Sequence, residues 1–109
     1  NIWPKIENYK ADVKFMELAQ LIGLNPKTPA EGVEMFAQAC EDLVQKVGIP
    51  ANFASQGISP EAWEEAVHRI AMNAYEDQCT PANPRMPMVH DMEAILRKTY
   101  NYEFKNKLK

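Results

Sequence analysis

Apolar residues recur every three or four positions along most of the chain. From about Ala11 to Gly23 they fall at Phe15, Leu18, Ala19, Leu21 and Ile22. That spacing predicts a helix with one buried stripe, and Gly23 supplies its stop. Leu24 to Lys27 then forms a connector. A second helix starts at Thr28-Pro29-Ala30-Glu31. Threonine can cap, proline suits the first helical position, and the glutamate completes a capping box. Its stripe is Val33, Phe36, Cys40, Leu43, Val44 and Val47, so Cys40 reads as a core residue. Gly48 ends it, with Pro50 just beyond.

A loop over Ala51–Ile58, anchored by Phe53, leads to Ser59-Pro60-Glu61, the next helix start. Its stripe is Trp63, Ala66, Val67, Ile70 and Ala74, and the helix is expected to reach about Asp77. Alanines at 62, 66, 71 and 74 leave room for a close neighbour. After Pro87 a last stripe runs through Val89, Met92, Ile95, Leu96 and Tyr100. Asp91 and Glu93 come early in it and Arg97 and Lys98 late, the order that suits a helix dipole. Near the start, Trp3, Ile6 and Tyr9 are spaced as one helical turn or as a docked lead-in. Nothing alternates as a strand would. The pattern predicts an all-α fold: four main helices in an antiparallel, bundle-like arrangement. It is read as a single helical unit over 1–109, with 105–109 a frayed tail.

Composition narrows the classes. At 109 residues, 46% hydrophobic and 25% charged, the chain is of ordinary globular make-up. A net charge of −3 with scattered Lys and Arg excludes a dedicated nucleic-acid surface. No apolar run approaches the roughly 20 residues that span a bilayer. The opening Asn1-Ile2-Trp3-Pro4-Lys5 makes no signal peptide and carries no initiating Met, which suits a piece of something longer. Cys40 and Cys79 lack metal-like spacing and read as reduced thiols, hence a cytoplasmic protein.

The candidate chemistry gathers in Glu76–Pro87, between the last two helices. Prolines at 81, 84 and 87 stiffen it and push the preceding Thr80, Asn83 and Met86 toward extended geometry. Such a connector can present Cys79 or Asn83 to a bound ligand. Asn83 can instead bond the connector's own backbone, and Arg85 can satisfy helix-end carbonyls. Elsewhere the signals are weaker. His68 lies four residues after Glu64, a spacing that can ligate a metal but suits a solvated pair better; His90 reads as exposed. Glu41-Asp42 and Glu64-Glu65 are neighbours that point apart on a helix, so they read as solvated faces. The period Pro81, Pro84, Pro87 fits polyproline II and an SH3-type groove, and Met86, Met88 and Met92 could make a soft binding surface. Those features support an alternative, a free-standing helical protein-interaction module.

Asp77-Gln78-Cys79-Thr80-Pro81-Ala82-Asn83-Pro84-Arg85 also resembles the Asp-x-Cys-Thr-Gly-x-Asn-Pro-Arg segment near the C-terminus of iron-containing (group III) alcohol dehydrogenases. It is most similar to the alcohol dehydrogenase portion of bifunctional aldehyde-alcohol dehydrogenases. Phe15–Gly23, Val47–Pro50 and Met92–Tyr100 follow the same order of features. One departure is Pro81, where the family usually has glycine; proline cannot take the positive φ that glycine allows. The resemblance implies the C-terminal helical portion of an NAD(P)-linked enzyme that interconverts alcohols and aldehydes by hydride transfer, inactive alone. It implies iron, or another divalent metal, and NAD(P) in the intact enzyme, held by upstream residues. No metal ligand, cofactor contact or catalytic residue is expected in this chain. Cys79 is carried over as lining the substrate pocket. The implied partners are the upstream part of the same polypeptide and a small alcohol or aldehyde, with no nucleic acid and no membrane. The isolated chain is expected to self-associate.

Overall fold

The computed structural model describes residues 10–108; the lead-in carrying Trp3, Ile6 and Tyr9 lies outside them. The described residues are all-α, with four main helices: α1 (Ala11–Leu21), α2 (Pro29–Lys46), α3 (Pro60–Tyr75) and α4 (Val89–Tyr100). Two short 3-10 turns, Ala54–Gln56 and Thr80–Ala82, lie in the connectors before α3 and before α4. Packing divides the chain into two compact units that meet inside α2, one ending at Leu43 and the other starting at Val44.

The local signals that start and stop the helices act as their chemistry requires. Thr28 Oγ1 accepts from the Glu31 N–H at 3.1 Å. The reciprocal arm reaches one residue further back than a capping box: Glu31 Oε1 accepts from the Lys27 N–H at 3.4 Å. Ser59 Oγ accepts from the Ala62 N–H at 3.1 Å. At the head of α4, Asp91 Oδ2 accepts from the Met88 N–H at 2.9 Å. Gly23 and Gly48 follow α1 and α2 with φ of 91° and 85°, the left-handed geometry that closes a helix end.

In the first unit, α1 and α2 meet at Gly32. A Cβ there would lie 2.4 Å from Met16 Cα, and Gly32 is itself buried. Phe15 and Phe36 pack nearby, ring centres 5.8 Å apart. The predicted α1 stripe is mostly uncovered, however. Ala19 is fully buried, whereas Phe15, Leu18, Leu21 and Ile22 are exposed, Leu21 at 82%. Cys40 is exposed too, contrary to its reading as core, as are Leu43 and Val47. A stripe shows that a face is apolar; burial also needs an element to cover it.

In the second unit, α3 and α4 pack antiparallel. Trp63 Nε1 donates to the Leu96 carbonyl at 3.0 Å, Arg97 meets Glu64, and His68 faces Glu93. The core is Trp63, Val67 and Ala71. Trp63 stacks on Phe53 at 4.4 Å and near Tyr100 at 6.0 Å. Tyr100 Oη donates to the Ile58 carbonyl at 2.6 Å, and Asn52 Nδ2 to that of Tyr102 at 2.7 Å, so the loop before α3 is stitched to the end of α4. Further on, in the basic segment expected to fray, Gln45 Nε2 donates to the Asn106 carbonyl at 2.7 Å and Gln45 Oε1 accepts from the Leu108 N–H at 2.9 Å.

Candidate functional site

The connector between α3 and α4 is folded rather than extended along its length. Beyond Asp77, whose N–H still donates to the Ala74 carbonyl at 3.2 Å, side chains take over from the helix ladder. Asp77 Oδ1 accepts from the Cys79 N–H at 2.7 Å, and the Asp77 carbonyl accepts from the Thr80 N–H at 3.1 Å. Thr80 Oγ1 reaches back to donate to the Ala74 carbonyl at 2.5 Å. Thr80, expected to be extended because Pro81 follows it, instead opens the 3-10 turn. The local bonds from Asp77 and to Ala74 outweigh the modest bias that a following proline imposes. Asn83 does adopt extended geometry, with φ −68° and ψ 137°, and its side-chain amide donates to the Arg85 carbonyl.

This folding leaves an open depression of about 420 Å³ lined by Ala74, Asp77, Cys79, Thr80, Asn83 and Pro87. Four of these, Asp77, Cys79, Thr80 and Asn83, belong to the segment that carries the family resemblance. Cys79 is exposed with a free thiol. The Asp77 contribution is missed by reading the segment for prolines alone. A signal was available: an aspartate two residues before a position that has left the helix is a standard partner for that N–H.

The remaining candidates are structural. Glu64 is paired with Arg97 instead of His68: Arg97 Nε and Nη2 both donate to Glu64 Oε1, at 3.0 and 2.7 Å. The Arg97 hydrogen bond holds the Glu64 carboxyl below its ordinary range, against a smaller opposing effect of desolvation. His68 Nδ1 stands 3.3 Å from Glu93, and His90 Nε2 3.4 Å from Asp91. Glu41 and Asp42, read as solvated, are half-buried and both accept from the Gln38 amide, at 3.0 and 2.8 Å.

Fold and site together define an all-α unit that carries a small open depression on the connector between two antiparallel helices. Residues 2–100 match the Fe-containing alcohol dehydrogenase family, C-terminal region, and the chain belongs to that family. It is 52% identical over 99 residues to aldehyde-alcohol dehydrogenase 2 of Entamoeba histolytica, covering 91% of this chain and 11% of the relative. It is 46% identical over 105 residues to aldehyde-alcohol dehydrogenase of Streptococcus pneumoniae serotype 4, covering 96% and 12%. It is 34% identical over 86 residues to NAD-dependent methanol dehydrogenase of Bacillus methanolicus, covering 77% and 22%. The chain thus spans about a ninth of the length of the first of these relatives.

The family name implies iron. Among the described residues no three His, Cys, Asp or Glu side chains come together in a way that could hold a metal ion. The two histidines each face one carboxylate on α4, so these residues do not fit an iron site. No described helix is long and apolar enough to cross a membrane.

Proposed function

We propose that this chain is the C-terminal helical portion of an iron-dependent, NAD(P)-linked alcohol dehydrogenase. The intact protein interconverts alcohols and aldehydes by hydride transfer. Metal and dinucleotide are bound by residues outside this chain, and the helices here wall one side of the substrate cleft. Cys79 lines that wall. The observation that carries the reading is the depression, whose rim includes four residues of the family-like segment: Asp77, Cys79, Thr80 and Asn83. A hydride transfer needs a positioned cofactor and a shaped, water-poor wall; it needs no thiol nucleophile, so Cys79 acts by shape and contact. Two free thiols suit a reducing compartment, and we place the protein in the cytoplasm.

Two measurements test this. The 109-residue chain, given NAD, alcohol and ferrous iron, forms no NADH; turnover would refute the division of labour. In the intact protein, bound alcohol slows alkylation of Cys79 by iodoacetamide while leaving Cys40 unchanged, as read by peptide mass spectrometry. Equal rates at Cys79 with and without alcohol would remove it from the substrate wall.

The exposed apolar side chains Leu21, Leu43 and Val47 also favour a second reading, a free-standing helical interaction module. A chain that stays monomeric and folded by itself, and supplies nothing to a dehydrogenase, would select it.

A further inference from the structure

Asp77 touches the connector at both ends of its first turn. Its N–H donates to the Ala74 carbonyl at 3.2 Å, its carbonyl accepts from Thr80, and its carboxylate accepts from the N–H of Cys79. Thr80 ties its own side chain back to α3 and leaves the Cys79 N–H to Asp77. Cys79 lies past the last turn of α3 with φ −84° and ψ −17°. The α3 ladder does not reach it: the 3-10 turn holds its carbonyl, which accepts from the Ala82 N–H at 3.1 Å, and the 2.7 Å bond to the Asp77 side chain holds its N–H. The Asp77 side chain also lies on the wall of the depression.

We propose that Asp77 is a positioning residue: by holding the Cys79 N–H, it fixes the direction of the Cys79 side chain along the depression and so sets how tightly the alcohol is held. The assignment of alcohol to this depression rests on the function proposed above; the Asp77–Cys79 bond does not. Asp77 is exposed, so truncating it removes no packed side chain. Asparagine retains an oxygen acceptor at the same reach. Glutamate retains the charge but moves the oxygen one carbon further out.

The test uses the intact longer protein. Asp77→Ala raises the KM for alcohol about fivefold, the factor expected for roughly one lost hydrogen bond, with the KM for dinucleotide and the melting temperature unchanged. Asp77→Asn restores the alcohol KM, and Asp77→Glu does not. A merely structural role would move the melting temperature and both KM values together. Independently of substrate, Asp77→Ala changes the iodoacetamide rate at Cys79 at least about threefold, with Cys40 as the internal reference. Failure of alcohol to protect Cys79 in the parent would sink the functional reading and leave the alkylation comparison to judge Asp77. An unchanged Cys79 rate and alcohol KM in Asp77→Ala, with protection intact, would overturn the role of Asp77 alone.

Discussion

Gly32 stands inside α2, where glycine costs about 1 kcal/mol relative to alanine. The structure shows what the glycine permits. A methyl group there would lie 2.4 Å from Met16 Cα, and backbone cannot yield as a flexible side-chain tip can. Overpacking of this kind costs about 1–3 kcal/mol, more than the helix propensity returns. Gly32→Ala is therefore expected to destabilise the first unit despite improving the helix; a raised urea midpoint would show that α1 gives way freely. A glycine inside an apolar helical pattern signals such an approach, yet sequence cannot name its partner. The same gap separates Cys79 from Asp77. Motif resemblance marks both residues, while the bond between them depends on how the helix ends.

At the scale of elements, starts were readable because they are local. Ser59 caps the residue three ahead of it, and Pro60 follows at once, whatever the rest of the chain does. Ser59→Ala removes the acceptor for the Ala62 N–H and should cost about 1 kcal/mol, measurable as a lower melting temperature of the second unit; Ser59→Asp should retain most of it. Charge pairing was less readable. Four-residue spacing suggested Glu64 with His68, but antiparallel packing of α3 and α4 offers Glu64 a two-pronged guanidinium. Arg97 depresses the Glu64 pKa, so the stabilisation is present above the ordinary carboxylate range. It is lost as the pH falls through the depressed value. Glu64→Gln should flatten that acid limb in a pH series of thermal melts. An unaltered limb would mean that water already screens the pair.

For the whole chain, the predicted apolar stripes came out correctly as patterns and only partly as buried surface. In the first unit Leu18, Leu21, Ile22 and Leu43 remain exposed; in the second, Val47, Ile49 and Ile95 do. The chain spans about a ninth of the length of a matching relative. Periodicity records which faces are apolar without showing what covers them. Isolated at high concentration, the chain should self-associate, since so many large apolar side chains on one chain are rarely all left in water. Sedimentation velocity should show mass rising with concentration, and Leu21→Gln combined with Leu43→Gln should reduce it. Concentration-independent monomers in both forms would argue that these side chains are merely scattered.

Gln45 shows how the segment at 106–108 is held. Its carboxamide offers the backbone at 106–108 one donor and one acceptor side by side, the pair that a peptide group in an adjoining strand would offer. A single side chain thus impersonates the rung of a sheet in a protein whose described residues contain none. No aliphatic or charged residue supplies both halves of that rung, so position 45 is where amide chemistry, rather than size or polarity, decides whether the segment at 106–108 stays laced down.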